Sequence, residues 1–347
     1  MRAVAKTRGE EGALEVIEVP EPQAGPGEVL IRPVGGGVCG TDVSIYHWYP
    51  GLARDYHPTW PLILGHESAG IVEAVGASVN GVAPGALVAV NPQTSCGACF
   101  HCNRGRTSIC DQYRVMGCHI NGGWAERVVV PATNVHPVPV GVEPTAALLA
   151  EPLTVAVHGV VERVRVQAGE TVLVLGAGTM GLLHLLVAQA VGAARVIVAG
   201  LAADRGRLAL AEELGAISVN LESQSLERVV RGERVHGADA AFDTTGHAEA
   251  LAGLLGSVRK GGRVGLIGIN HDAAPFDSLP VVLGEQELLG VRAYSRTTWD
   301  TSVALLERLA PAMQRLITHT LPFSEAGAAI GLIERRECIK VVLQADG

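Results

Sequence analysis

The chain has 347 residues, of which 48% are hydrophobic and 18% are charged, a balance typical of a well-folded globular protein with room for two domains. Its net charge of −8, without a basic stripe, argues against a nucleic-acid partner. No apolar run reaches the roughly 18 residues of a membrane span, and no signal segment opens the chain, so we expect a cytoplasmic protein.

Short β-branched runs and turns dominate about the first 150 residues. The run at 28–33 is one example, and Pro-Gly pairs at 26–27 and 84–85 mark turns. This part of the sequence predicts an irregular, mainly β domain.

Four cysteines lie close together in this part of the chain, at Cys96, Cys99, Cys102 and Cys110. Thiolates are strong zinc ligands, and four in one loop can enclose a tetrahedral metal ion. The alternative is a disulfide framework, but the size of the protein, the lack of a signal segment and the scattering of the other three cysteines argue against it. Because four thiolates leave no open position for a substrate, we expect a structural zinc.

Three further segments carry metal-binding side chains. They are Cys39-Gly40-Thr41-Asp42, Gly65-His66-Glu67 and Glu151-Pro152-Leu153. A Cys, a His and a carboxylate would make an open zinc site with one position left for water or substrate. Taken singly, such a Cys or His is more often a buried structural residue, and the spacing alone does not show that the segments meet.

The second part of the chain alternates strands with helices. Strands are predicted at 171–175, 195–199, 217–220, 238–243 and 262–268, with helical segments between them. This alternation predicts an α/β fold with a doubly wound parallel sheet.

A glycine turn follows the first of these strands and opens a helix. Gly176 would permit the tight turn, Gly178 would let the backbone approach a pyrophosphate, and Gly181 would allow close packing of helix on strand. Backbone N–H groups at the helix start, at Thr179 and Met180, would face the phosphates. Glycines also occur in ordinary turns, but the position between strand and helix favours a dinucleotide site.

The end of the second strand has no Asp or Glu for the adenosine ribose. Gly200 stands there, and Arg205 or Arg207 could pair with a 2′-phosphate, so this pattern favours NADP over NAD. The alternative is that both arginines only solvate the next helix.

In this order, and over essentially the whole chain, the motifs resemble the zinc-dependent medium-chain alcohol dehydrogenases, and most of all the sorbitol (polyol) and threonine dehydrogenase branch. The resemblance implies a GroES-like, mainly β catalytic domain of residues 1–153 and 290–347, with a Rossmann domain of residues 154–289 inserted. It also implies an active site in the cleft, two zinc ions, a small alcohol or ketone substrate, and a homotetramer or homodimer.

By position, the resemblance implies that Cys39 and His66 bind the catalytic zinc, with Glu67 and Glu151 as ligands or water-linked partners. Zinc would lower the pKa of the bound alcohol, and hydride would pass to the nicotinamide C4. Thr41 matches the family hydroxyl that relays the proton.

Residues around Thr41 are polar but do not all match the family. Asp42 is interpreted as support for the ligands, and Ser44 stands where several relatives have a relay His. Ser44 and the nearby His47 are either relay groups or ordinary exposed polar residues.

Three aromatic residues belong either to the substrate pocket or to the core: Tyr46, Trp48 and Trp299.

Two departures from the threonine dehydrogenases favour a polyol, sugar or cyclitol over threonine or an amino alcohol. Gln93 stands where those enzymes typically have a His, and Glu151 precedes the proline where they tend to have Asp. A dinucleotide-binding protein without turnover would be a different class of function, and a zinc-free, quinone-reductase-like enzyme would be a third. The presence of Cys39, His66 and Glu151 argues against both.

Overall fold

The structure is a computed structural model that describes residues 1–49, 51, 56–232, 236–269 and 276–346. It contains two compact units. The first combines Met1–Pro152 with Ser295–Gly347, and the second is Leu153–Tyr294. No helix in the described ranges has the length and apolarity needed to cross a membrane.

Most of the strands are short, in keeping with the short runs between turn residues in the sequence. In chain order they are β1 (Arg2–Lys6), β2 (Leu14–Glu18), β3 (Glu28–Val38), β4 (Leu62–Ile63), β5 (Glu67–Val75), β6 (Leu87–Val90), β7 (Gln93–Thr94), β8 (Arg114–Val115), β9 (Val128–Pro131), β10 (Val135–Pro137), β11 (Thr171–Leu175), β12 (Arg195–Gly200), β13 (Ile217–Asn220), β14 (Ala238–Asp243), β15 (Val258–Leu266), β16 (Glu287–Gly290), β17 (Ile317–Pro322) and β18 (Lys340–Gln344).

The α-helices fall mainly in the later part of the chain. They are α1 (Gly40–His47), α2 (Pro144–Ala147), α3 (Ala150–Val157), α4 (Thr179–Ala190), α5 (Arg205–Glu213), α6 (Leu226–Arg231), α7 (Ala248–Ser257), α8 (Leu279–Gly284), α9 (Thr298–Gln314) and α10 (Ala326–Glu334).

The first unit is built around a seven-stranded sheet in the order β10-β6-β5-β3-β18-β17, with β9 also paired to β3. Inward side chains such as Val29, Ile31 and Val72 are almost completely buried and form its core. In the antiparallel pairing of β3 with β5, Gly37 lies opposite Glu67. This register brings the residues just after β3 next to those at the start of β5.

The second unit contains a six-stranded parallel sheet in the order β13-β12-β11-β14-β15-β16. The predicted doubly wound sheet is therefore confirmed. The central strand β11 is buried along its whole length, as expected for a parallel strand covered on both faces. The chain leaves β11 for one side of the sheet and later returns to the other side at β14, and dinucleotides bind at such a switch point.

Candidate metal centres and dinucleotide site

The cysteine loop gathers its four sulfur atoms into one group. The Sγ atom of Cys110 lies 3.5 Å from that of Cys96 and 3.9 Å from that of Cys99, and the Cys96–Cys102 separation is 4.0 Å. Zinc–sulfur bonds of about 2.3 Å give a tetrahedron with edges of about 3.8 Å, whereas a disulfide requires about 2.05 Å. The spacing fits four thiolates around zinc, and all four cysteines are free thiols.

Backbone N–H groups in the loop point at these sulfur atoms. Cys99 donates to the sulfur of Cys96 at 3.3 Å, and Cys102 donates to that of Cys99 at 3.5 Å. Hydrogen bonds from the N–H groups of Cys102 and Asp111 lower the pKa of the Cys99 thiol to about 6, whereas burial raises the pKa of Cys110 to about 11. Because the ligand is the thiolate, these N–H groups prepare the loop for a cation.

A second candidate metal site lies in the first unit. Ligand atoms of Cys39, His66 and Glu67 all lie within 4.8 Å of one another. Cys39 is half-buried and directly follows β3, whereas His66 and Glu67 are buried at the start of β5. The β3–β5 register therefore brings together two of the three segments singled out in the sequence.

Asp42 supports this group from the first turn of α1. Its completely buried carboxylate accepts the N–H of Cys39 at 2.8 Å, and its Oδ1 lies 3.7 Å from Nδ1 of His66. Neither Oδ1 of Asp42 nor Nδ1 of His66 has a hydrogen-bond partner among the described residues. A small shift of the His66 ring would let Nδ1–H donate to Asp42 and leave Nε2 for a metal, which is the usual carboxylate–histidine–metal arrangement.

The electrostatics of the group depend on buried charges. Burial raises the pKa of Asp42. Burial lowers the pKa of His66, but the Asp42 carboxylate and contacts with the Cys118 and Cys39 thiols outweigh it, so the pKa is raised well above its ordinary value. Asp42 and His66 therefore stabilise each other's charged forms.

Lys340 is a further site residue that the sequence analysis missed. Its Nζ lies 2.8 Å and 2.7 Å from the two carboxylate oxygens of Glu67 and donates to the carbonyl of Val38 at 3.0 Å. Both side chains are buried. Burial lowers the pKa of Lys340, but Glu67 more than compensates, so the pKa is raised. A lysine among the buried apolar residues of β18, in a chain with only three lysines, was the available signal.

The remaining residues predicted for catalysis or metal binding lie on two helices. Thr41 and Ser44 are half-buried on α1, three residues apart and hence on one face of the helix. Glu151 is buried in the first turn of α3 and is not part of the three-residue group.

His47 is held at the surface by two carboxylates. Nδ1 lies 3.0 Å from Glu11, and Nε2 forms a short contact with Glu334. The hydrogen bond with Glu334 is the main reason that its pKa is raised. With both ring nitrogens engaged in this way, the structure offers no support for a relay role of His47.

The three aromatic candidates pack in cores. Tyr46 and Trp48 pack against a buried cluster of the first unit, where Trp48 makes an edge contact with Trp60. Trp299 is completely buried and stacks on His136 with 4.5 Å between ring centroids. Core packing thus accounts for all three.

Trp124 supports the metal-ligand segments, and the sequence analysis did not single it out. Its indole N–H donates to the carbonyl of Gly37 at 3.2 Å. A Cβ atom at Gly36 or Gly65 would lie 2.3 Å or 2.2 Å from the indole ring. The ring therefore packs directly on the backbone that precedes Cys39 and His66.

The glycine turn of the second unit has the geometry that the motif predicts. Gly176 has a φ of 103°, and a Cβ at Gly181 would lie 1.8 Å from the carbonyl oxygen of Gly176. Gly178 is the N-cap of α4, and a Cβ there would meet nothing within 4 Å. The turn is tight, the helix packs closely, and open space remains at the helix start for a pyrophosphate.

The end of β12 has a carboxylate next to it, supplied by Asp204 four residues after Gly200. Asp204 is buried, accepts the N–H of Leu201 at 3.1 Å, and pairs with Arg207 at 3.1 Å. A Cβ at Gly200 would lie 3.2 Å from its Oδ2. The guanidinium of Arg207 is therefore already paired, while Arg205 is exposed at the start of α5.

Two family models match the chain. The alcohol dehydrogenase GroES-like domain matches residues 25–140, and the zinc-binding dehydrogenase matches residues 179–308. The L-threonine 3-dehydrogenase of Bacillus subtilis (strain 168) is 34% identical, with 99% of this chain and 98% of that protein covered. The L-threonine 3-dehydrogenase of Pyrococcus furiosus is 36% identical, with 92% and 91% covered.

Solved structures of similar proteins share the fold. A putative zinc-binding dehydrogenase from Sinorhizobium meliloti 1021, bound to NADP, has a TM-score of 0.88 at 29% identity over 99% of this chain and 98% of that chain. An alcohol dehydrogenase from Escherichia coli CFT073, complexed with NADH, has a TM-score of 0.87 at 29% identity over 99% of both. Galactitol-1-phosphate dehydrogenase from Escherichia coli has a TM-score of 0.86 at 27% identity over 99% and 100%.

Proposed function

Because the chain belongs to the zinc-dependent medium-chain alcohol dehydrogenases and is an NAD(P)-dependent enzyme of that family, we propose that it interconverts a secondary alcohol of a small polyol, sugar or cyclitol with the corresponding ketone. The observation that carries this proposal is the group of Cys39, His66 and Glu67. It offers a thiolate, an imidazole and a carboxylate, the donor set of an open zinc site.

We assign Cys39 and His66 as the protein ligands of the catalytic zinc. Zinc in such a site supplies a Lewis acid that lowers the pKa of an alcohol. After a small shift of the His66 ring, Asp42 would hold it through Nδ1–H. Lys340 neutralises Glu67, so that the buried carboxylate does not carry an uncompensated negative charge. Glu67 and Glu151 are proposed to exchange as ligand and water-linked partner.

We assign the proton path to α1. The Oγ1 atom of Thr41 would receive the proton of the substrate hydroxyl and pass it to Oγ of Ser44, one helical turn further along. Thr41→Val would then lower the turnover number, whereas Thr41→Ser would keep it. A Thr41→Val enzyme with an unchanged pH profile of kcat would contradict this assignment.

The assignment to polyols depends on Gln93 and Glu151, the two departures from the threonine dehydrogenases. L-Threonine is the second candidate, because the relatives from Bacillus subtilis and Pyrococcus furiosus are named for it. The test is to measure kcat/KM for xylitol, sorbitol, galactitol, myo-inositol, 2,3-butanediol and L-threonine, each with NAD and NADP. The highest value on a polyol is expected. A clear preference for L-threonine would overturn the substrate class but not the enzyme class.

We also propose a homo-oligomer assembled at the edge strand β16 of the second unit. The segments preceding β16 expose large apolar side chains: Ile269, Phe276, Leu279, Val282 and Leu283. Exposed apolar surface next to an open strand edge is typical of a subunit interface. Light scattering after gel filtration should give the molar mass of a dimer or tetramer, and Val282→Glu should lower the molar mass of the assembly. A monomeric native protein would contradict the proposal.

A further inference from the structure

Two backbone N–H groups at the carboxyl end of β12 are already paired with carboxylates. Leu201 donates to Oδ2 of Asp204 at 3.1 Å, and Ala202 donates to Oε2 of Glu222 at 2.8 Å. In a doubly wound fold, this strand end is where the adenosine ribose of a dinucleotide lies. Free N–H groups here would suit a phosphate, and these two are not free.

The two carboxylates differ in whether a cationic side chain balances their negative charge. Asp204 is buried and its Oδ1 pairs with Arg207 at 3.1 Å, so its charge is balanced within the protein. Glu222 is exposed and has no cationic partner in the described part of the chain. Its second oxygen, Oε1, therefore has acceptor capacity for a ligand.

The turn that carries Glu222 is held in place by its own hydrogen bonds. The N–H of Glu222 donates to Oδ1 of Asn220 at 3.0 Å, and the N–H of Asn220 donates to Oε1 of Gln224 at 2.9 Å. Leu221, directly before Glu222, and Gln224, two residues after it, line a cavity of about 410 Å³ that Leu175 at the end of β11 also borders. The turn that carries Glu222 thus borders a cavity large enough for a nucleotide base.

We propose that Glu222 replaces the ribose-binding carboxylate missing at position 200 and makes the enzyme select NAD over NADP. The inference rests on dinucleotide binding by the second unit. Ribose hydroxyls are donors and form charge-assisted hydrogen bonds with a carboxylate. A 2′-phosphate has only acceptors and about two negative charges at pH 7, so Glu222 repels it while the N–H groups of Leu201 and Ala202 remain occupied.

Selection of NAD is the reverse of the cofactor preference expected from the sequence. Gly200 and Arg205 alone favour NADP, because they offer a position without a carboxylate and a nearby cation. The structure supplies the carboxylate from the segment that follows β13, the neighbouring strand. Of the two arginines, Arg205 alone then has a guanidinium available for a phosphate, since the guanidinium of Arg207 pairs with Asp204.

The test measures binding of adenosine fragments to the full-length protein by titration calorimetry. 5′-AMP is expected to bind at least about tenfold more tightly than adenosine 2′,5′-bisphosphate, which corresponds to about 1.4 kcal/mol. In Glu222→Gln the preference should fall by about tenfold, because the repulsion is gone and the ribose contact is weaker. Glu213→Gln, the same change at an exposed glutamate of α5, should keep the native ratio.

Tighter binding of the bisphosphate by the native protein would overturn the proposal, and so would an unchanged ratio in Glu222→Gln. Failure of both fragments to bind would overturn it together with dinucleotide binding by the second unit. Because the fragments lack the nicotinamide and need no alcohol, a wrong substrate class cannot produce any of these results.

Discussion

The two candidate metal centres of this protein are assembled in opposite ways. The cysteine loop takes all four ligands from residues 96–110, and the N–H groups that support the sulfur atoms come from the same loop. The group of Cys39, His66 and Glu67 depends on contacts that are distant in sequence, since the partner of Glu67 lies 273 positions further along the chain.

This difference has an energetic counterpart. A local thiolate loop can close around a metal with little help from the rest of the fold, and metal binding then contributes to folding. The second group is ordered by the strand register and by the buried charges of Asp42 and Lys340. Removing one thiolate from each centre should therefore separate stability from catalysis, whereas breaking the buried ion pair of the second group should cost stability.

The largest effect is expected from Cys39→Ser. The kcat/KM should fall by at least about a thousandfold, because a Lewis acid contributes several kcal/mol to such a reaction. Circular dichroism and the melting temperature should change little, and zinc per chain should fall from about two to about one. Substantial turnover in this variant would show that Cys39 is not a ligand of the catalytic zinc.

Lys340→Met should destabilise the protein by about 3–5 kcal/mol, because it leaves the buried carboxylate of Glu67 without a cation. Urea unfolding measures the change. The matched control is Lys260→Met, which removes an exposed lysine and should cost less than about 0.5 kcal/mol. Adding Glu67→Gln to Lys340→Met should recover part of the stability; strict additivity would mean that the two side chains do not interact.

Cys99→Ser should act mainly on stability. Loss of one thiolate weakens the loop by roughly 2–3 kcal/mol, which lowers the melting temperature of a chain of this length by about 3–4 °C. The kcat/KM of the folded fraction should stay within about twofold of the native value. A specific loss of turnover with an unchanged melting temperature would contradict the structural role of this loop.

The smallest effect concerns His47 at the end of α1. Its folded-state pKa is raised by Glu334 and Glu11 above the ordinary value of 6.5, so the folded state binds the proton more tightly than the unfolded state does. The resulting stability is fully present below pH 6.5 and is lost as the pH rises through the raised pKa. In His47→Gln the free energy of unfolding should change less with pH across this interval, and the difference from the native protein should be less than about 1 kcal/mol. If the free energy of unfolding of the variant had the same pH dependence as that of the native protein, the ion pairs of His47 would not contribute to stability.

Features encoded by neighbouring residues were predictable from the sequence. The glycine turn at Gly176–Gly181 is recognisable because a tight turn, an open helix start and a close helix contact each require glycine at a fixed spacing. The cysteine loop is equally local. The pairing of Cys39 with His66 required the resemblance, because neither segment by itself determines the register of β3 on β5.

Features that depend on distant pairs were missed for the same physical reason. Lys340 is only a polar residue at the start of a largely apolar strand until its Nζ is placed on the carboxylate of Glu67, two strands away. Trp124 resembles an ordinary core aromatic until the glycines that accommodate its ring are brought around it. Glu222 follows β13, so a search for the ribose carboxylate at the end of β12 does not find it.

The docking of β18 against β3 ties the pairing of Glu67 with Lys340 to a late stage of translation. Ribosomes release the amino-terminal strands first, so Glu67 is synthesised long before its cation. Until Lys340 emerges, the β3–β5 core has a carboxylate that cannot be buried as an anion without a large desolvation cost. A chain that ends early therefore lacks both the edge partner of β3 and the counter-charge of its metal-ligand group. Only a chain synthesised as far as Lys340 can bury Glu67 within an ion pair.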